Sequence, residues 1–501
     1  MMQHLPILPV LVPLLTAAML LLPPFQDKLS RQRWFSGGGL VLLFCVSVLG
    51  LVQSSSGATS FYLLGNWPQP FGIVLVHDRL AAMFVLLASV LAMAAWLFSL
   101  GGEDGQGAFY HPLLHFLLMG INGAFLTGDL FNLFVFFEVL LISSYGLLMH
   151  GGGKARARAG LHYVLMNLAG SAVFLLALAL LYAVLGTLNI ADMALRINQL
   201  EPSQTLLVKA AAGMLLLVFG LKAAVLPLHF WLPTAYASAA PAVAAMFAVM
   251  TKIGVYCLLR VFGTLFAEPG NPLAGFGQQL LWLAGLATLL LAAIGVVAAQ
   301  SMKKLVAYLV LVSVGSLISV LAIGTVPAIA AVLYYCLHST LIAAALFLLA
   351  DVIAQQRGTV ADRLVSGRPL QQPVLLGSLF ILAALAVVGM PPLSGFVGKI
   401  WLLQAATVSS DRIVLWSVVL VSSLLVLIAL TRAGSTLFWR LNRQQAGNDS
   451  TSQPQLFAVI SLLLCSPLLV IFGDAVMQFC LAAAQQLQAP LSFSTSGGVE
   501  Q

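Results

Sequence analysis

The sequence predicts an all-α polytopic membrane protein with about 14 spanning helices, on three observations. Apolar residues fill 61% of its 501 positions and charged residues only 7%, where soluble domains carry about 25% charged residues. Mean hydropathy is +1.04. The apolar runs reach the ~17–25 residues that carry a helix across the hydrocarbon core, where only helices and closed barrels satisfy the backbone. Lys and Arg gather in alternate connections, as the positive-inside rule requires of such a chain.

The spans fall near 6–24, 34–53, 78–100, 109–127, 130–150, 160–186, 205–229, 240–263, 279–299, 303–323, 326–354, 372–408 (interrupted), 413–436 and 455–485. The first has neither a basic flank nor a small-residue cleavage site, so it reads as a span rather than a removed leader. Spans one and two are joined by Lys28, Arg31 and Arg33. Five and six are joined by GGGKARARAG (Lys154, Arg156, Arg158), a flexible basic loop that lacks the strand and the Ser or Thr of a phosphate loop. Nine and ten meet at Lys303 and Lys304, eleven and twelve at Arg357, Arg363 and Arg368, thirteen and fourteen at Arg432, Arg440 and Arg443. With the N-terminus outside, these 14 of 22 basic residues lie on the inner face, and five (Arg79, Arg196, Lys209, Arg260, Arg412) on the outer. Both termini are therefore predicted on the outer face, and the net charge of +7 reports topology rather than affinity for nucleic acid. The longest polar stretches, 355–371 and 440–455, are too short for a separate soluble domain, and SFSTSGGVEQ reads as a frayed tail.

Two spans are interrupted alike. The seventh contains GLKAAVLPLHFWLP (Gly220 to Pro233) and the twelfth GMPPLSGFVGKIWLL (Gly389 to Leu403). Proline removes a backbone donor and clashes with the preceding turn, so both helices should unwind locally. Paired interruptions point to an internal repeat with function at the breaks. Their offset of five predicts spans four to eight repeating, inverted, as nine to thirteen. The division is then 1–108 for the N-terminal helices, 109–263 and 277–436 for the repeats, and 437–501 for an inner loop, the last span and the tail.

Ionisable groups at membrane depth cost ~2.5–3.5 kcal/mol each on insertion scales. Glu138 sits in GDLFNLFVFFEVLLISSYGLL (Gly128 to Leu148), and Lys222, Lys252 and Lys399 lie in the seventh, eighth and twelfth spans. Burial favours the neutral form of both types, so a Glu–Lys couple has two accessible protonation states. A proton relay needs that property; the alternative is a static ion pair between helices. Lysine suits a relay because its pKa shifts readily, whereas arginine stays charged. His229 lies seven residues after Lys222, on the same face if the helix were unbroken. Tyr256 is at i+4 from Lys252. His338, in the eleventh span, titrates near neutrality, with Ser339 and Thr340 beside it.

Other chemistry is excluded. His111 and His115 share one helix face but lack a third ligand, so no metal site is expected. The five cysteines (Cys45, Cys257, Cys336, Cys465, Cys480) lie in apolar spans and form no CxxC, as small hydrophobes do. No cofactor motif is present.

A glutamate in the fifth span, lysines in the seventh, eighth and twelfth, and two proline-broken helices together resemble the antiporter-like family that includes membrane-arm subunits of respiratory complex I. GDLFNLFVFFEVLLISSYGLL and the stretch from Gly220 to Arg260 look like the D-type subunits of Mrp-type multisubunit monovalent cation/proton antiporters. The resemblance covers nearly the whole chain. It implies that Glu138 and Lys222 are the paired groups, Lys252 the central lysine, His338 the eleventh-span histidine and Lys399 the terminal lysine of a proton path through water-filled half-channels.

It further implies a transporter subunit rather than an enzyme, without cofactor, in a bacterial cytoplasmic (inner) membrane. Its partners would be other antiporter subunits, H+ and a monovalent cation, Na+ foremost. The alternative is a proton-pumping subunit of a complex I or hydrogenase-type redox complex. Two departures stand out. Ala343 occupies a position where some relatives carry lysine, and the tenth span, KKLVAYLVLVSVGSL (Lys303 to Leu317), is more apolar than in many complex I relatives.

Overall fold

In the computed structural model, which describes residues 2–67, 71–266, 271–442 and 451–489, the apolar runs become helices that start at side chains able to hold a free backbone N–H. Asp78 accepts from Ala81 N, Asp129 from Asn132 N, Ser301 from Lys304 N and Thr325 from Ala328 N, each satisfying one of the unpaired donors of a first turn. The helices are α1 (Leu8–Leu20), α2 (Leu29–Ser55), α3 (Arg79–Ser99), α4 (Tyr110–Leu126), α5 (Leu130–Met149), α6 (Lys154–Leu185), the short α7 (Ile190–Ile197), α8 (Pro202–Ala223), α9 (Trp231–Ser238) and α10 (Pro241–Cys257). A π turn, Leu258–Phe262, links α10 to the one-turn α11 (Gly263–Leu265). There follow α12 (Gln278–Ala298), α13 (Met302–Leu321), α14 (Val326–Gln356), α15 (Pro373–Val388), α16 (Ser394–Gln404), α17 (Ser409–Phe438), α18 (Gln453–Ile471) and α19 (Gly473–Gln488).

Among the described residues, 12 helices are long and apolar enough to cross a membrane, so the chain is a multi-pass membrane protein. The sequence predicts 14. The difference lies at α4, with 17 residues, and at the interrupted twelfth span, which becomes α15 with 16 and α16 with 11. The expected single segment 455–485 is divided at Phe472 into α18 and α19. GGGKARARAG is not wholly a loop: Gly151, Gly152 and Gly153 take positive φ, and Lys154 opens α6. Nor is the chain all-α, since β1 (Ser60–Leu63) pairs antiparallel with β2 (Val74–His77), Ser60 opposite His77. Those strands are too short for a readable alternation. Arg443 and the SFSTSGGVEQ tail lie outside the described residues, as does 443–450 of the 440–455 stretch.

Hydrogen bonds between connections define two faces. On the basic face, Arg33 reaches Asp104, Arg156 reaches Ser238 O, Ala242 N reaches Glu103, Lys303 reaches Asp351 and Gln356 reaches Thr451. Arg357, almost wholly buried, anchors the following loop by donating to Ala361 O, Arg363 O and Val365 O. On the opposite face, Gly128 N bonds Val74 O, Leu130 N bonds Leu188 O, and Gln486 holds Gly57 O and Thr59.

Between the faces the helices divide into inner and outer shells. The most apolar windows of α10, α14 and α13 are 100%, 89% and 83% buried, against 33% for α17 and α18. Exposed Leu, Ile and Val side chains such as Leu206, Ile142 and Ile413 clothe the outer shell with the groups that acyl chains solvate. Small residues bring the inner helices together: a Cβ at Gly254 of α10 would collide with the backbone N of Ala223 at the end of α8.

The two breaks keep their backbone groups bonded, which membrane depth demands. After α8, Ala224 turns to φ 59° and Val225 N returns to Gly220 O at 2.8 Å. Trp231 Nε1 donates to Leu221 O at 3.2 Å, and Thr288 on α12 accepts from Leu226 N at 2.9 Å. After α15, Met390 N returns to Leu385 O, and Ser466 on α18 accepts from Ser394 N at 3.3 Å. A Cβ on Gly395 would run into Ala386 O, so this crossing tolerates only glycine.

One ion pair is fully compensated. Arg260, in the π turn, donates to both oxygens of Asp78 at 2.5 and 2.7 Å and, from Nε, to Tyr256 Oη at 3.1 Å. Removing one partner of a buried pair costs about 3–5 kcal/mol because the other charge is stranded. Asp78→Ala should therefore sharply lower the thermal stability of the purified protein, and Asp78→Ala with Arg260→Met should recover most of the loss.

Candidate functional site

The sequence-predicted ionisable residues lie on helices that pack successively through the centre of the fold: Glu138 on α5, Lys222 on the last turn of α8, Lys252 on α10, His338 on α14 and Lys399 on α16. α6 packs against both α5 and α8, α10 against both α8 and α14, and α14 against α16.

Glu138 and Lys222 are within electrostatic reach, but no ion pair among the described residues joins them. Each is held by α6. Glu138 Oε1 accepts from Ser171 Oγ at 2.5 Å, and Lys222 Nζ donates to Asn167 Oδ1 at 3.0 Å. Asn167 and Ser171 are four residues apart, hence neighbours on one helix face. Lys222 Nζ also lies 5.5 Å from the centroid of Phe137, a cation–π distance.

Lys252 is completely buried and donates to Ser313 Oγ on α13 at 2.8 Å, while Ser313 gives its own proton to Val310 O. Tyr256 is not its partner: that hydroxyl donates to Phe125 O and accepts from Arg260. His338 Nδ1 pairs with Ser394 Oγ at 2.7 Å, and Ser394 with Ser466 Oγ at 2.7 Å. Ser339 and Thr340 turn away from the ring and donate to Cys336 O. Lys399 Nζ donates to Val388 O at 2.7 Å, the carbonyl freed at the end of α15, and to Ser423 Oγ on α17 at 2.9 Å. His338 lies within electrostatic reach of both Lys252 and Lys399.

His229 is separate. The turn between Ala224 and Phe230 takes it off the Lys222 face, its ring packs on Phe230 at 4.4 Å, and its Nδ1 has no partner.

The column is thus a series of polar islands. Among the described residues no hydrogen bond links Lys222 to Lys252, or Lys252 to His338. The residues that complete each island, Asn167, Ser171, Ser313, Ser394, Ser423 and Ser466, were missed in the sequence, where a lone hydroxyl in an apolar helix looks like a backbone-bonded bystander. The available signal was Asn167 and Ser171 one turn apart in an apolar span. The tenth span, read as apolar, supplies through Ser313 the partner of Lys252.

Other groups do not form a competing site. His111 Nε2 contacts Asp104 at 3.2 Å and His115 Nε2 contacts Ser36 at 3.0 Å; no cluster able to hold a metal occurs among the described residues. A 550 Å³ groove between α15 and α17 and a 430 Å³ groove lined by Met83, Leu341, Leu468 and Phe479 are apolar and include none of the column residues.

Known proteins carry this architecture. Residues 127–426 match the family described as NADH:quinone oxidoreductase/Mrp antiporter, transmembrane. The D-type subunit of the probable K(+)/H(+) antiporter of Rhizobium meliloti is 38% identical over 529 aligned residues, covering 98% of this chain and 97% of the relative. Its counterpart in the Na(+)/H(+) antiporter of Bacillus subtilis is 36% identical, covering 98% of each. A chain of the Mrp complex from a Dietzia species superposes with a TM-score of 0.87 at 26% identity over 98% of both chains. An archaeal sulfane sulfur reductase complex (TM-score 0.87) and complex I of Thermus thermophilus (0.79), each at 23% identity, share the fold.

Hydrogen bonds to charged groups contribute about 1.5–3 kcal/mol. Asn167→Leu should destabilise the protein by that amount, measured as thermal aggregation in detergent. Asn167→Leu with Lys222→Met should restore stability, because no charge is then left without an acceptor.

Proposed function

Since the chain belongs to the NADH:quinone oxidoreductase/Mrp antiporter family, we propose that it is the proton-translocating subunit of a multisubunit monovalent cation/proton antiporter. The observation that carries this reading is the column itself, four ionisable side chains and a histidine in a fold whose relatives, 36–38% identical across nearly their full length, are named as antiporter subunits of the D type. The redox-complex alternative shares the family description and the fold, but its solved structures are only 23% identical to this chain. The subunit is a transporter rather than an enzyme, and its partners are the other antiporter subunits, H+ and a monovalent cation, Na+ foremost.

On this reading α4 and the α15–α16 pair complete fourteen spans, with 109–263 and 277–436 as inverted five-helix repeats between the N-terminal helices of 1–108 and the terminal segment 437–501. The basic face is cytoplasmic in a bacterial inner membrane, and both termini face outward, by the positive-inside rule. Glu138 and Lys222 exchange a proton in the first repeat. The charge they leave biases Lys252, and then His338 and Lys399 in the second. His229, off the column, belongs to the wall of the first half-channel.

Neutral partners make this chemistry workable. A lysine bonded to Asn167, Ser313 or Val388 O loses a hydrogen bond on deprotonation, but strands no counter-charge. Water entering the bundle, or rotation of the long lysine stems, joins the islands. Each charge that crosses exchanges ~2.3 kcal/mol with every 100 mV of membrane potential, so proton and cation movements must be coupled for net exchange.

In everted vesicles containing the whole complex, Glu138→Gln and Lys222→Ala should each abolish cation-dependent proton exchange while the complex still assembles. Normal exchange per assembled complex would leave these charges a purely structural role and refute the reading.

A further inference from the structure

Glu103 stands apart from the column, in the turn between α3 and α4 on the basic face. It is 7% exposed. Its Oε2 accepts the N–H of Ala242, in the first turn of α10, at 3.2 Å, and its Oε1 has no partner. It is the one carboxylate with a buried, unpaired oxygen among the described residues. A buried ionised carboxylate with an unmet oxygen is costly, and protonation removes that buried charge. The free oxygen is where a proton fits.

The surroundings set this carboxyl between a partly exposed ion pair and the ends of helices that carry the column. Lys303 of α13 and Asp351 of α14 form a 2.8 Å ion pair, 18% and 17% exposed, and both act on Glu103 electrostatically. Arg156 of α6 acts on it too, as Glu103 itself acts on Tyr110 of α4; Asp104 adjoins it in its own turn, and His150, after α5, bonds its main-chain oxygen at 2.8 Å. The helices converging here are α10, which carries Lys252, α13, which carries its partner Ser313, and α14, which carries His338. Ten residues of helix, ~15 Å at 1.5 Å per residue, separate Ala242 from Lys252.

We infer that Glu103 is a proton-binding site at the basic-face end of the column, where protons exchange between the aqueous phase and the α10–α13–α14 seam. This rests on the proton-translocating reading above and adds a residue outside both repeats to it. Burial, opposed by the Ala242 N–H, by Lys303 and by Arg156 and reinforced by Asp351, raises its pKa to about 8. A site that exchanges protons fastest titrates near the working pH. Below 8 the carboxyl holds its proton, and above 8 it releases it.

The test uses the whole complex in everted vesicles with an acid lumen, so that exchange delivers protons to a bath in contact with the basic face. The wild-type rate should rise as bath pH passes upward through about 8. Glu103→Gln should remove that limb and lower the maximal rate several-fold at equal assembly, and Glu103→Asp should keep a limb at a shifted pH. Infrared difference spectra of the wild type should contain a protonated-carboxyl band that disappears on the same midpoint and moves in Glu103→Asp, which provides the assignment if Glu103→Gln does not assemble. The band should persist in Glu138→Gln, where exchange is lost, so failure of the wider reading is distinguishable. A Glu103→Gln rate profile superimposable on the wild type, or a Glu103 band that titrates in the ordinary carboxylate range, would overturn the inference.

Discussion

The bundle is organised by the need to give every buried charge a polar partner on another helix, and two solutions coexist. Arg260 and Asp78 meet as a bidentate, fully compensated pair, tying α3 to the end of α10. Arginine does not deprotonate, so this pair is a fastener. Lys222, Lys252 and Lys399 are met by an amide, a hydroxyl, and a hydroxyl with a carbonyl. Those partners hold an ammonium in place without pairing it to an opposite charge. The difference in partner chemistry separates a charge locked to an opposite charge from three that are not.

The breaks belong to the same design. Interrupting a helix in lipid frees carbonyls that must be captured, and at the second break one captor is a column residue. Lys399 bonds Val388 O across the second break, and Ser394, the first residue of α16, bonds His338. The first break follows Lys222 by one residue, with Trp231 and Thr288 holding its backbone. At the second break unwound backbone and a buried lysine therefore stabilise each other, whereas at the first the backbone is held by Trp231 and Thr288 and Lys222 by Asn167.

The spans, the basic face and the column's ionisable members were legible in the sequence because each departs sharply from its background: a charge among Phe and Val, a proline pair within an apolar run. The partners were not, since Ser313 or Ser423 looks the same whether it bonds its own helix or a lysine across the interface. Contact across helices is a property of packing, and packing of nearly uniform apolar helices leaves little one-dimensional trace. The Lys222–His229 relation was conditional for a related reason: helical spacing holds only while the helix continues, and Ala224 ends it. Glu103 was invisible because it sits in a short polar turn, where an acid is ordinary. Only the approach of α10 makes that turn an interior.

The separation of the column into islands follows from these partner choices. A continuous chain of hydrogen bonds among side chains would let protons pass without regard to the cation. If the proposed function holds, isolated islands transmit charge only when a neighbouring island changes its own, because solvent screens a charge little at this depth. His338, in reach of both Lys252 and Lys399, shows how one residue stands under two such influences at once. Under the proposed function, coupling between proton and cation then resides in the gaps as much as in the groups, and Gly254 of α10 keeps α8 and α10 in close approach across one of them.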